Sequence, residues 1–336
     1  MRQGLLFYGN LSLADTVAVG RAAEEGGFDS LHYVEAYRSP FVALAALANA
    51  TRRVRLGSYI ANAYAHSPFG MGLAALDLDE LSGGRFVLGV GSGNQHLNKL
   101  ALGVGRGDVH TKLREFVEVV RRMVSAPEGE QIAFQGKIHS MRWRQTLRPF
   151  RERIPVHLAA IFPKMIDVAA TVADGVALGV LASPEYVRDI VRPRIRRTAE
   201  AAGRDPGTIE IPMGAVVAVD DDRARARDAV RAAIASFFHP MPHPYYEFLL
   251  REQGYSKVAD AAKRLMPEGR AAAAMEMIDD ELVDRLALAG TPSEISTRLE
   301  DYRGLVDEVI YLNVGGKGAA NALEAYQPLF AIRAPR

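Results

Sequence analysis

The stretch RLGSYIANAYAHSP, residues 55–68, decides how the chain is read. Its first half has the pattern of a buried strand: Leu56, Tyr59 and Ile60 are apolar and Gly57 is slim. Its second half, Asn62-Ala63-Tyr64-Ala65-His66, is polar and aromatic, and Ser67-Pro68 then opens a helix. Such a hydroxyl caps free amides, and proline at the first helical position loses no hydrogen bond. A strand with a polar end, followed at once by a helix, is the repeating unit of a barrel of alternating strands and helices. Ligands gather at the strand ends of such barrels.

The rest of the chain repeats that unit. Apolar runs occur at 4–10, 29–37, 54–64, 85–93, 155–160, 174–181, 208–219 and 307–316. They are rich in Val, Ile, Leu and Tyr and are bounded by Gly, Asp or Pro, which reads as strands. Continuous apolar character, rather than alternation, suits parallel strands buried on both faces. Amphipathic segments lie between them. Ser12 precedes one at 13–27, and the hydroxyl-proline start recurs at Ser39-Pro40, Ser183-Pro184 and Thr291-Pro292. Thr291 with Glu294 also forms a capping-box pattern. Eight strand–helix units in one chain predict an α/β fold, a (β/α)8 TIM barrel. The competing architecture, an open doubly wound sheet, wants a glycine-rich fingerprint after the first strand. There the chain reads Gly9-Asn10-Leu11-Ser12.

Two excursions break the rhythm. The first, about 107–154, follows the fourth strand and predicts a helix at 111–126, a small hairpin at 132–141 and the basic run RWRQTLRPFRER. The second, about 236–289, lies between the seventh and eighth strands. It opens with FFHPMPHPYYEF, residues 237–248, and continues in alanine-rich helical sequence. Insertions after barrel strands build pocket walls, lids or subunit interfaces. No linker divides the chain, so residues 1–336 read as one domain.

Composition narrows the function. The chain has 336 residues, 49% of them hydrophobic, enough for a sizeable core. A net charge of +1 leaves no electrostatic footprint for nucleic acid or an anionic membrane. Cysteine is absent, which excludes disulfides, a thiolate nucleophile and cysteine metal sites. No apolar run approaches the ~20 residues of a membrane span, and the first is too short for a secretory signal. The expectation is a soluble cytoplasmic protein acting on a small molecule.

The strand ends supply the candidate site: Glu35, then Asn62, Tyr64 and His66, then Asn94, Gln95, His96 and Asn98. Ala159, Ala160, Ile161 and Phe162 follow the fifth strand and Gly179 the sixth. This set is rich in neutral hydrogen-bonding groups and poor in charge. It lacks the paired carboxylates of a glycosidase, and no lysine lies in a predicted strand as a Schiff-base aldolase would need. No three metal ligands cluster. His239 and His243 are spaced like helical ligands, but Pro240, Pro242 and Pro244 forbid the helix. Neutral donors and slim glycines suit a flat, polar-edged cofactor. In GVGSGNQHLN, residues 89–98, the glycines at alternate positions read either as close backbone approach to a ligand or as a tight strand-to-loop turn. Asn94 stands where a dinucleotide fingerprint has its third glycine. GGKG, residues 315–318, reads as a surface turn. Glu35 reads either as a buried acid paired with arginine or as a site group. His96 is a candidate for proton transfer, His66 a rim residue, and His32 and His157 satisfied core histidines. Residues 237–248 read as packing or as a lid.

These segments together resemble the luciferase-like monooxygenase superfamily, and most of all its deazaflavin branch, which includes methylene-tetrahydromethanopterin reductases. The resemblance rests on GFDSLHYVEAYRSPFVALAALANATRRVRLGS, LDELSGGRFVLGVGSGN, IPVHLAAIFPKM with VADGVAL, and ELVDRLALAGTPSEI. It implies that the third strand ends in a bulge with a non-prolyl cis peptide, Tyr59–Ile60, which supports the central ring of the cofactor. It further implies an Asn62 contact to the ring's polar edge. Gly91, Gly93, Asn94 and Asn98 would lie near ring and tail, and Ala159, Ala160, Ile161 and Gly179 would lie along the cofactor. Glu35 falls on the family's acidic position, whereas Ala36 stands where some relatives have a histidine base. The implied activity is hydride transfer between coenzyme F-420 and a small organic substrate, with Glu35 and His96 as catalytic residues, in a homodimer. The resemblance leaves two other readings open: an FMN-dependent monooxygenase, and a flavin-holding protein without catalysis.

Overall fold

The eight apolar runs form strands because each is bounded by turn residues and flanked by helices that cover it. In the computed structural model, which describes residues 1–240 and 242–335, they are β1 (Arg2–Phe7), β2 (Ser30–Tyr33), β3 (Arg55–Ser58) continued by β4 (Ala61–Asn62), and β5 (Phe86–Gly91). A separate hairpin, β6 (Gln131–Gln135) and β7 (Ser140–Arg144), precedes β8 (Val156–Ala159), β9 (Gly175–Ala177) and β10 (Pro212–Val219). The last two strands are β11 (Leu288–Gly290) and β12 (Glu308–Asn313).

The large sheet is parallel, in the order β11-β10-β12-β1-β2-β3-β5-β8-β9, with β4 also paired to β5. It curls strongly. Isolated parallel bridges Gly175↔Glu210 and Leu178↔Met213 connect the β9 end to β10 and the segment before it. Helices pack on its outer face, where Leu56, Phe86, Leu88 and Val90 join the main core.

Three features differ from the sequence expectation. The run 54–64 is not one strand. From Gly57 to Ala61 is four residues, whereas their β5 partners Val87 and Val90 are three apart. One extra residue on one strand is a β-bulge, which bends the strand and re-aims its side chains. The excursion 236–289 is not wholly helical, because its end forms β11 beside β10 through Val217↔Leu288 and Val219↔Gly290. The hairpin reaches further than 132–141, taking in Arg142–Arg144 of the basic run. Buried Glu115 ties its tip down by accepting from the backbone N–H groups of Lys137, Ile138 and His139 at 2.7–2.8 Å. Burial pushes that carboxyl up, but the three amide donors outweigh it and hold it below its ordinary range.

The caps form as their local chemistry dictates. Ser12, Ser67, Ser183 and Thr291 each accept from a first-turn amide, and the Thr291–Glu294 capping box is complete. Ser39 is the exception: its side chain makes no cap bond. No helix among the described residues is long and apolar enough to cross a membrane.

Candidate functional site

The site is built around the bulge. The Tyr59–Ile60 peptide is cis. Tyr59 N donates to Tyr33 O at 2.9 Å, and Ile60 O accepts from Glu35 N at 3.2 Å. The Tyr59 ring turns into the interior of the curled sheet, 5.7 Å edge-on to His32. Its hydroxyl donates to the carbonyls of Leu178 and Pro212, and burial pushes the phenol well above its ordinary range. Ile60 is half-buried on the other side of the bulge.

The three alternate glycines are explained by this neighbour. A Cβ on Gly89 would lie 2.1 Å from the Ser58 carbonyl oxygen, and one on Gly91 2.8 Å from Ile60 Cγ1. One on Gly93, whose φ is +60°, would lie 2.6 Å from Asn62 Nδ2. The glycines therefore make room for the bulge and for the Asn62 side chain. In the same way Gly179 makes room for Ile161, whose Cδ1 would be 2.7 Å from an added Cβ. Ala159 lies beside Gly91, and Ala160 N donates to Ala177 O. Gly316 to Gly318 form an exposed turn.

Among the described residues Glu35 has no arginine partner. One carboxylate oxygen meets His66 Nε2 at 2.7 Å and the other accepts from Asn62 N at 2.6 Å. Phe41 stacks edge-on to His66 at 5.3 Å. Asn62 and Asn98, both buried, bond to each other: Asn62 Nδ2 donates to Asn98 Oδ1 at 2.7 Å. Asn62 Oδ1 also accepts from Tyr64 N, and Asn98 Nδ2 donates to Ser92 O. His96 is not with them. It is exposed in the first turn of the helix Gln95–Ala101.

The aromatic-proline run crosses the mouth; Met241 within it lies outside the described residues. Asn94 caps the helix Gln95–Ala101 with Oδ1, and its Nδ2 donates to His243 Nε2 at 3.0 Å. Burial pushes the His243 imidazole down to about 4, so the ring is neutral and can accept. The Tyr245 hydroxyl lies 3.0 Å from Ser92 Oγ and donates to Gly93 O at 2.7 Å. Phe162 packs against Tyr245 and Phe248 at 5.7 and 4.7 Å. Beneath this strap is a cavity of about 10 Å³ lined by Tyr64, Ser92, Asn98, Arg106 and Tyr245, among others. Lys112 Nζ sits 4.7 Å from the Tyr64 ring centroid. A cavity of about 830 Å³ lies at the opposite face, among Arg2, Gly26, Asp29, Asp307 and Arg333. No strand end of the candidate site contributes to it.

The core histidines are buried, but they are not satisfied. His32 Nε2 meets Glu308 at 2.8 Å and Ser30 at 3.0 Å, while its Nδ1 has no partner. His157 Nε2 has no hydrogen bond, with Glu210 at 3.6 Å. Sequence reasoning missed the Glu35–His66 and Asn94–His243 pairs. Partners separated by 31 and 149 residues leave no local signal. No group of three or more His, Asp or Glu that could hold a metal occurs among the described residues.

A parallel curled sheet carrying its polar side chains at the strand ends is the frame of an α/β ligand-binding domain. The family model described as luciferase-like monooxygenase matches residues 2–308, and the chain belongs to that family. A 5,10-methylenetetrahydromethanopterin reductase of Archaeoglobus fulgidus is 27% identical over 305 residues, covering 90% of each chain. A Mycobacterium tuberculosis protein named among the coenzyme F-420-dependent oxidoreductases is 31% identical over 291 residues, 80% of this chain and 82% of that one. The coenzyme F-420-dependent tetrahydromethanopterin reductase of Methanopyrus kandleri superposes with a TM-score of 0.83 at 20% identity, over 97% of this chain and 96% of that one. Its fold is shared. The relatives are oxidoreductases, and this chain is read as one.

Proposed function

We propose that the protein is a coenzyme F-420-dependent oxidoreductase. Hydride would pass between the deazaflavin and a small organic substrate at the C-terminal mouth of a (β/α)8 barrel. The observation that carries this reading is the bulge at 59–60 with its slim floor: Ile60 and Ala159 both close over Gly91, and Ile161 over Gly179. That floor is apolar and slim, as a flat ring requires. Ser92, Tyr64, Tyr245 and Arg106 line the small cavity under the strap, and Lys112 lies against Tyr64. This donor set fits a polar-edged ring with an anionic tail.

When bound, the deazaflavin supplies or takes up the hydride. The chain's own residues do the rest. Ile60, Gly91 and Ala159, with Ala160, Ile161 and Gly179, would back the ring, and Gly93, Asn94 and Asn98 would shape the loop beside it. Tyr59 holds the bulge from inside, and Asn62 and Asn98 hold each other. The strap of His243 and Tyr245 excludes water from the mouth. Binding and orienting both reactants supplies most of the rate in such a site.

The test is fluorescence titration of the purified protein with coenzyme F-420 and, separately, with FMN. Tight F-420 binding with weak FMN binding is the expected result. A preference for FMN moves the reading to the second one, a flavin monooxygenase, which the family's own description favours. Binding of neither ends the cofactor reading. A homodimer belongs to the same proposal. The helix Pro40–Ala50 carries no charged residue and exposes Val42, and light scattering on the eluting peak reads the mass.

A further inference from the structure

We propose that His66 is the proton-carrying group of the mouth and that Glu35 is its positioning residue; the inference rests on the deazaflavin reading. Hydride transfer to an unsaturated carbon–heteroatom bond leaves the heteroatom with an electron pair that needs a proton. The reverse reaction must remove one. Of the titratable groups at the strand ends, the geometry leaves His66 free for this.

Glu35 is occupied on both oxygens. Oε2 accepts from Asn62 N at 2.6 Å, Oε1 meets His66 Nε2 at 2.7 Å, and the Glu35 amide itself donates to Ile60 O at 3.2 Å. The residue therefore clamps both sides of the bulge and the imidazole at once. His96 is exposed on the outer helix. His243 is held by Asn94 at 3.0 Å, and its burial favours the neutral ring.

His66 differs from these. A carboxylate only accepts, so the ring nitrogen facing Glu35 carries a hydrogen. That leaves Nδ1, which has no hydrogen-bond partner among the described residues, as the reactive nitrogen. Phe41 edge-on at 5.3 Å fixes the ring plane on one side. A base anchored through one nitrogen by a carboxylate, with the other nitrogen open, is the arrangement by which an acid fixes the tautomer and orientation of a histidine. In the reducing direction carbon would gain its hydride from the bound cofactor. The π pair would move to the heteroatom and His66 Nδ1–H would give it the proton; the proton left on the oxidised cofactor would go to solvent, and solvent would return one to His66. In the oxidising direction Nδ1 takes the proton as the hydride leaves. Ala36, beside Glu35 in sequence, cannot do either.

The test uses the full chain with two readouts. Fluorescence titration with F-420 reads the cofactor. Proton–nitrogen NMR of the histidine rings, assigned with His66→Gln, reads His66. The expected result has two parts. A resolved Nε2–H signal, protected from exchange by Glu35, is present in the wild type and exchanges at least about tenfold faster in Glu35→Gln. Saturating F-420 shifts the Nδ1 resonance. If F-420 binds and Nδ1 does not move, the assignment to His66 is overturned while the cofactor reading stands. If the Nε2–H signal is the same in Glu35→Gln, the positioning role is overturned. If the wild type binds no F-420, the deazaflavin reading falls and this inference falls with it.

Discussion

Gly89 shows how a single hydrogen in place of a methyl decides the site. An added Cβ would meet the Ser58 carbonyl oxygen at 2.1 Å, and that atom belongs to a paired strand that cannot rotate away. Gly89→Ala should therefore cost about 3 kcal/mol or more, as overpacking against fixed backbone does. Gly105→Ala, with nothing within 4 Å, should change stability by less than about 0.5 kcal/mol. Denaturant melts of the two variants check the pair, and similar midpoints would refute the packing account. The sequence showed these glycines plainly but not their purpose. It left a ligand and a turn as readings, because the atom each glycine avoids belongs to a strand some thirty residues away, as Ser58 is to Gly89. Glu35 was legible as a strand-end acid for the same local reason that its partner was not. Position along a strand is written in the sequence, whereas the 31-residue step to His66 depends on how two strand ends meet.

At the scale of elements, the strap over the mouth joins the second excursion to the loop after β5. Tyr245→Phe removes the bonds to Ser92 and Gly93 while keeping the ring against Phe162. Two lost hydrogen bonds weaken the closed arrangement by roughly 1–2 kcal/mol. The cavity of about 10 Å³ beneath it holds no more than about one water, so a ring-sized ligand enters only when the strap lifts. The variant should bind F-420 with an association rate about three- to tenfold faster in stopped-flow fluorescence; an unchanged rate would mean that the strap does not gate entry. Helix starts and the hairpin were readable from sequence because caps and turns act over three or four residues. The break in the third strand was not readable from its own residues, since a bulge is defined by counting against β5. Family resemblance supplied that position instead.

For the whole molecule, eight apolar runs sufficed for the parallel order because parallel strands are buried on both faces and need no alternation. What the runs concealed is a charged interior at the end opposite the mouth. There Glu308, almost fully buried, meets His32, Ser30 and Arg2, and Glu210 meets Arg2 and Arg55. His157 stands among these strands. Burial pushes its imidazole down to about 4, outweighing the pull of Glu210 at 3.6 Å. The sign of the pH effect follows from where the proton binds. Above about 6.5, the ordinary histidine value, folded and unfolded chains both hold a neutral ring, and His157 takes nothing from stability. As pH falls from there to about 4, the unfolded chain takes up a proton that the folded chain refuses, so stability declines across that window. The full step is about 3 kcal/mol, at 1.36 kcal/mol per unit. Glu308, which hydrogen bonds and charges hold below the carboxylate range despite its burial, loses its contribution only at still lower pH. Denaturant midpoints measured from pH 7 to 4.5 should therefore fall in the wild type and fall less steeply in His157→Gln. His243→Gln should remove a second, separate share of the slope, because that ring too is held near 4. A slope unchanged by His157→Gln would mean that the ring takes up its proton over the same range folded and unfolded, the pull of Glu210 cancelling the burial.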